Sequence, residues 1–148
     1  MNRSFRGYYS SVALTCPKQG PGSDRRVEIR ILPEPRKVAR LRRALETFPL
    51  PPLLLDDAKL LLTETVTNSI RHAQLRPRER VRIAIRWDGT TLRVDVFDHA
   101  NAGAEPGPVI GGIRPSPGAE SGWGLFLLDR LARRWGNAPG HYWFELTL

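Results

Sequence analysis

Cysteine is nearly absent: Cys16 stands alone among 148 residues, which excludes an internal disulfide and any multi-cysteine metal site and fits a reducing compartment. Long apolar runs are missing as well. No stretch reaches the roughly 20 residues that a membrane-crossing helix needs, and the basic start at Arg3 and Arg6 leads into Tyr8, Tyr9, Ser10 and Ser11, not into the apolar core of a signal peptide. A cytoplasmic protein is the expectation. Acidic residues are the minority charge, 15 against 23 basic ones, for a net charge of +8. That excess raises the local concentration of any anion, whether acidic protein, nucleotide or nucleic acid, and does not choose among them. Lysine is scarce beside arginine, whose planar fork suits carboxylates and phosphates; a bias in codon usage accounts for the same preference without function.

What is present is enough apolar material, 41% of the residues, for one folded unit with its own core. Residues 1–26 mix Ser, Gly, Pro and Arg without periodicity and read as a flexible leader, so the domain is expected to occupy residues 27–148. Val27, Ile29 and Ile31 alternate with Glu28 and Arg30, the period of a half-buried strand. Pro35 then suits a first helical position, and Val38, Leu41, Leu45 and Phe48 follow at helical spacing with Arg36, Lys37, Arg40 and Arg43 between them. After Pro49, Pro51 and Pro52, a second helix is predicted from about Leu53 to Gln74, with Leu55, Ala58, Leu62, Val66, Ser69 and Ala73 on one stripe.

Two alternating runs, Val81–Ile83–Ile85–Trp87 and Leu92–Val94–Val96, flank Asp88-Gly89-Thr90 and predict a hairpin. From Ala100 to Ser121 glycine and proline recur too often for regular structure, predicting a mobile loop. A helix is expected from Gly122-Trp123-Gly124 through Leu125, Leu128 and Ala132 to about Trp135, then a last strand with Tyr142, Phe144, Leu146 and Leu148 on its apolar side. Hairpin-linked strands with helices grouped between them predict an α+β fold, a two-layer sandwich of a mixed, mostly antiparallel sheet with helices on one face.

Three groups of residues carry chemistry. Glu64, Asn68 and His72 recur every four positions and form one polar line on the second helix. An Asn oxygen is a hard neutral ligand suited to magnesium, and a neighbouring carboxylate can orient or deprotonate a hydroxyl; a solvated helix face has the same composition. Asp98 closes the strand of Val94 and Val96, where a carboxylate can accept a hydrogen bond from a purine amino group or simply form a turn. Gly122 and Gly124 precede Leu125 at a helix start, where bare backbone N–H groups and the helix dipole favour phosphate, and where an ordinary loop-to-helix joint also uses glycine.

Together and in this order, these residues resemble the ATP-binding domain of the GHKL superfamily, that of gyrase, the Hsp90 chaperone, histidine kinases and MutL, and within it the compact bacterial anti-sigma-factor serine/threonine kinases. The likeness covers residues 27–148. Glu64 and Asn68 match the Glu-x-x-x-Asn motif, His72-Ala73 the His-Ala after it, Asp98 the adenine-binding Asp, Gly122-Trp123-Gly124-Leu125 the second glycine motif, and Trp143-Phe144-Glu145-Leu146 the last strand. The resemblance implies the Bergerat ATPase fold, ATP and Mg2+ as ligands, Glu64 as catalytic base, Asn68 as magnesium ligand, and His72, Asp98, Gly122, Gly124 and Leu125 around the nucleotide. It further implies a sigma factor and an anti-anti-sigma (STAS-type) protein as partners, and leaves a homodimer open. One departure stands out: the first glycine motif, Asp-x-Gly-x-Gly in the family, is here Asp98-His99-Ala100-Asn101-Ala102, with alanine at both glycine positions.

No segment resembling a histidine-kinase dimerisation helix or the second domain of gyrase or MutL is recognisable, so a stand-alone regulator is expected. Three functions compete: a kinase that controls a sigma factor by partner switching, a binding module of the same fold that has lost efficient nucleotide use, and a basic nucleic-acid-binding domain. With no helix-turn-helix, zinc or RNA-binding signature, the third ranks last.

Overall fold

A computed structural model describes residues 24–72, 78–98, 123–138 and 140–148. Among these residues five strands form one sheet: β1 (Arg25–Ile31), β2 (Val81–Trp87), β3 (Thr91–Phe97), β4 (Arg134–Ala138) and β5 (His141–Thr147). Their order across the sheet is β1-β2-β3-β5-β4, and each neighbouring pair is antiparallel. Helices α1 (Val38–Leu45), α2 (Pro52–His72) and α3 (Trp123–Leu131) supply the second layer. The two-layer α+β sandwich is therefore the one expected, with its sheet antiparallel throughout the described residues.

Strand alternation decides what fills the core. Val81, Ile83, Ile85 and Trp87 on β2, Leu92, Val94 and Val96 on β3, and Phe144 and Leu146 on β5 are buried on one face, since successive residues of a strand point to opposite sides. From the helices they meet Val38, Leu41, Leu45, Leu54, Ala58, Leu61, Leu62, Val66 and Leu128. On α1 the predicted positions are the buried ones, and Phe48 just beyond it is buried too. On α2 the apolar stripe is wider than the spacing suggested, because Leu54, Leu61 and Thr65 are also buried while Leu55 is half-exposed. The Thr65 hydroxyl meets its burial by donating to the Leu61 carbonyl at 2.8 Å, a local bond open to threonine inside a helix.

The β2–β3 hairpin turns where expected. Gly89 has φ +99°, a backbone region that costs glycine little, and Asp88 Oδ1 accepts from the Thr90 and Thr91 amides at 2.9 and 2.7 Å. These bonds lead the causes that hold the Asp88 carboxyl below its usual range.

Several boundaries differ from the sequence reading. β1 begins at Arg25, so Arg25 and Arg26 belong to the sheet; residues 1–23 and 99–122, the latter including the loop expected from Ala100 to Ser121, lie outside the described residues, as do Ala73 and Gln74. A 3-10 turn, Pro35–Lys37, precedes α1 where helix proper was expected. Helix α3 stops at Leu131, and Trp135, read as its end, is a buried residue of β4, paired with Phe144. The reason is tertiary: the indole joins the core only when its backbone joins the sheet beside β5. Leu148 does not extend the apolar side of β5, being 67% exposed.

β4 and β5 approach unusually closely at Gly136. A Cβ added there would lie 2.6 Å from Trp143 Nε1, inside van der Waals contact. The Arg93 guanidinium in turn lies 3.9 Å from the centre of the Trp143 ring, so the indole has a neighbour that it would have to displace. Gly136→Ala is expected to destabilise the domain by about 1–3 kcal/mol, the usual cost of overpacking. Thermal unfolding of the purified variant checks this; an unchanged midpoint would mean that the indole swings away freely.

Candidate functional site

Chain direction brings the chemistry-bearing residues to one end of the sheet. β1 ends at Ile31, paired with Val81 at the start of β2, and Arg82 pairs with Phe97 at the end of β3. Asp98 follows at once. α1 runs from this end to the other: an Arg25 guanidinium, on β1 opposite Trp87, donates to the Thr47 carbonyl just beyond α1. α2 then returns. Its first half is fastened to the end of α1 by the Lys59–Glu46 ion pair at 2.7 Å, and its length of about 30 Å at 1.5 Å per residue carries its C-terminal turns back to the Asp98 end. α3 finishes at the far end, where Arg133 N donates to the Glu145 carbonyl and Arg134 pairs with Glu145, so its N-terminus is directed back toward the Asp98 end.

Glu64 and Asn68 stand one turn apart on the second half of α2, both half-buried, which fits a polar line at the border of the helix layer. His72 closes the described part of that helix, with its side chain outside the described residues. Gly124 and Leu125 belong to the first turn of α3, and the Leu125 side chain lies outside the described residues. Gly122 lies in the undescribed segment. The fold thus brings Glu64, Asn68, Asp98 and the start of α3 toward one end of the sheet.

Asp98 is the most distinctive of these residues. It is only 4% exposed, and carboxylates are seldom buried to that degree unless they are partnered. Its amide donates to the Gly140 carbonyl at 3.1 Å, extending the β3–β5 ladder by one bond. Burial raises the pKa of the Tyr142 phenol, and the negative charge of Asp98 raises it further. Tyr142 therefore neighbours the carboxylate, a role that the sequence reading missed when it placed this residue only on the apolar side of the last strand.

The sheet-facing side of α2 holds a second feature. Ser69, next to Asn68, is fully buried, and its hydroxyl has no hydrogen-bond partner among the described residues. An orphaned buried hydroxyl costs about 1–3 kcal/mol unless water or a ligand satisfies it. Ser69 was read from the sequence as one more position on the apolar stripe. A buried carboxylate and an orphaned hydroxyl on neighbouring elements suit a ligand with hydrogen-bonding edges, and the half-buried Asn68 amide suits a hard cation. No group of three or more His, Cys, Asp or Glu that could enclose a metal occurs among the described residues.

The opposite face of the sheet is charged instead of apolar. A concavity of about 420 Å3 opens there, lined by Arg26, Arg86, Arg93, Asp88, Asp95 and Glu145 among others, and Glu64, Asn68 and Asp98 do not border it. Arg93 is already engaged, donating to Asp95 and to Glu145 at 2.9 Å each.

The profile of the histidine kinase-like ATPase domain matches residues 31–137, from the end of β1 to β4. The chain belongs to this family. It is accordingly a GHKL-superfamily domain, of a kind that includes anti-sigma-factor kinases, and domains of this family generally bind ATP with magnesium. Glu64, Asn68, His72, Asp98, Gly122, Gly124 and Leu125 all fall within the matched span. No curated protein matches the sequence. Among the described residues no helix is long and apolar enough to cross a membrane.

Proposed function

We propose that this GHKL domain is an ATP-binding regulator of the anti-sigma-factor kinase type, which holds a sigma factor and is switched by an anti-anti-sigma protein of the STAS type. The observation that carries the nucleotide part is the buried Asp98 at the same sheet end as the Glu64–Asn68 line. In this reading Asp98 accepts a hydrogen bond from the adenine amino group, with Tyr142 as its neighbour. Asn68 supplies the protein oxygen to Mg2+, and the backbone at Gly122, Gly124 and Leu125 meets phosphate at the start of α3, with His72 bordering the same space. ATP supplies the transferable phosphoryl group, and magnesium neutralises part of its charge. Glu64 then accepts the proton of a serine or threonine hydroxyl on the antagonist, the work of a general base.

Asn68→Ala is expected to abolish the magnesium dependence of nucleotide binding. Glu64→Gln is expected to leave binding largely intact and slow phosphoryl transfer to a STAS-type substrate by about 10²–10⁴-fold. Radiolabelled transfer assays beside titration calorimetry check both; full activity in either variant would remove that residue from its role. Alanine at positions 100 and 102 favours a second reading, a partner-binding module with weak or absent kinase activity. Its signature is a sigma-factor complex that forms equally well with and without ATP.

A further inference from the structure

Phe97 and His141 form the last register pair of β3 and β5. The residues beyond them, Asp98 and Gly140, are joined by the 3.1 Å backbone hydrogen bond. On the face of the sheet away from the helices, the two rings lie parallel, with centroids 4.3 Å apart and planes 7° from each other. The Arg82 guanidinium covers Phe97 at 3.9 Å. His141 Nε2 stands 2.8 Å from Asp95 Oδ1; an ionised carboxylate can only accept, so the ring nitrogen there carries the proton and donates. Asp95 is fixed in turn by Arg93 at 2.9 and 3.0 Å. Burial pushes the Asp95 carboxyl up, but the hydrogen bonds from His141 and Arg93 outweigh it and leave its pKa below the ordinary value.

We infer that Phe97 and His141 are positioning residues for Asp98: their stack, with Arg82 and Asp95 at its ends, clamps the strand end from which the carboxylate enters the candidate base-binding site. Strand ends otherwise open readily, and side-chain direction follows the backbone. Fraying at the Phe97–His141 pair would swing Asp98 and release the Gly140 carbonyl together. The clamp sits on the charged face, whereas Asp98 is buried on the core side, so the rings act through the backbone and do not touch a ligand. The inference rests on Asp98 as the base-binding carboxylate, and its test separates the two claims.

Binding of a non-hydrolysable ATP analogue and of magnesium tripolyphosphate, which lacks the base, is measured by calorimetry for the full chain and for Phe97→Ala, His141→Ala and Phe97→Tyr. Amide exchange at Asp98 is followed in the same proteins without ligand. Loss of the clamp is expected to weaken the ATP analogue by about tenfold, in keeping with the steep cost of small misplacements. Tripolyphosphate binding stays unchanged, exchange at Asp98 accelerates, and Phe97→Tyr, which keeps the stack, restores both. A variant whose melting point falls but whose two ligands weaken equally shows a merely structural stack and overturns the inference. If Asp98→Asn weakens the analogue while Phe97→Ala and His141→Ala leave it unchanged, the clamp is wrong and the nucleotide reading stands. If the unaltered protein binds no analogue, both fall.

Discussion

An Asp98→Asn variant is expected to bind an ATP analogue about 10- to 100-fold more weakly than the unaltered protein. The substitution keeps the size of a side chain that is 4% exposed, so the core has no new cavity to tolerate. It removes the negative charge. Hydrogen bonds to charged groups are worth about 1.5–3 kcal/mol, and each 1.4 kcal/mol is tenfold in affinity. The Asn oxygen can still accept one bond from an adenine amino group, which sets a ceiling on the loss. Tyr142 offers an internal control: part of the rise in its phenol pKa comes from the Asp98 charge. Spectrophotometric titration of the variant should show Tyr142 ionising at lower pH while burial still holds it above the ordinary value. Undiminished affinity together with this tyrosine shift would show that Asp98 is a structural carboxylate and not a ligand contact.

Phe144→Ala is expected to have the largest effect on stability. Phe144 is fully buried on β5, between Val94 of β3 and Trp135 of β4 in register. Truncating a buried Phe typically costs about 3–5 kcal/mol, because the lost transfer energy is joined by that of an incompletely filled cavity. At roughly 2–4 °C per kcal/mol for a chain of this size, the melting midpoint should fall by on the order of 10 °C. Leu148→Ala is the contrasting case: with 67% of the residue exposed, the change should stay within about 0.5 kcal/mol. Equal effects from the two would mean that β5 does not continue to the core as described.

Much of this fold was legible because short-range pattern and tertiary burial agree. The alternation of Val81, Ile83, Ile85 and Trp87, the Asp88-Gly89 turn, and the helical spacing of Val38, Leu41 and Leu45 each point to the element that forms. β4 was hidden for a physical reason. Among Arg134, Trp135, Gly136, Asn137 and Ala138 only Trp135 is a large apolar residue, so no alternation announces a strand, and the chain before it is helical. Gly136 serves there as the space that Trp143 needs, a demand made by β5 and invisible in a local window.

The site divides in the same way. Glu64 and Asn68 sit on one helix, so their spacing alone sets them one turn apart. That Asp98 lies at the same end of the sheet follows from the route of α1 and α2, and its neighbour Tyr142 arrives through β3–β5 pairing across more than forty residues. The buried hydroxyl of Ser69 could have been singled out as the one polar member of an otherwise apolar stripe. That no described residue partners it is a property of the packing around it.

Titration calorimetry of the unaltered protein with a non-hydrolysable ATP analogue, with and without magnesium, tests the central claim most directly. Saturable binding that tightens with magnesium is the result expected of Asp98 and Asn68 acting in one nucleotide site. Heats that remain those of dilution at millimolar nucleotide, under conditions where the domain is folded, would contradict it.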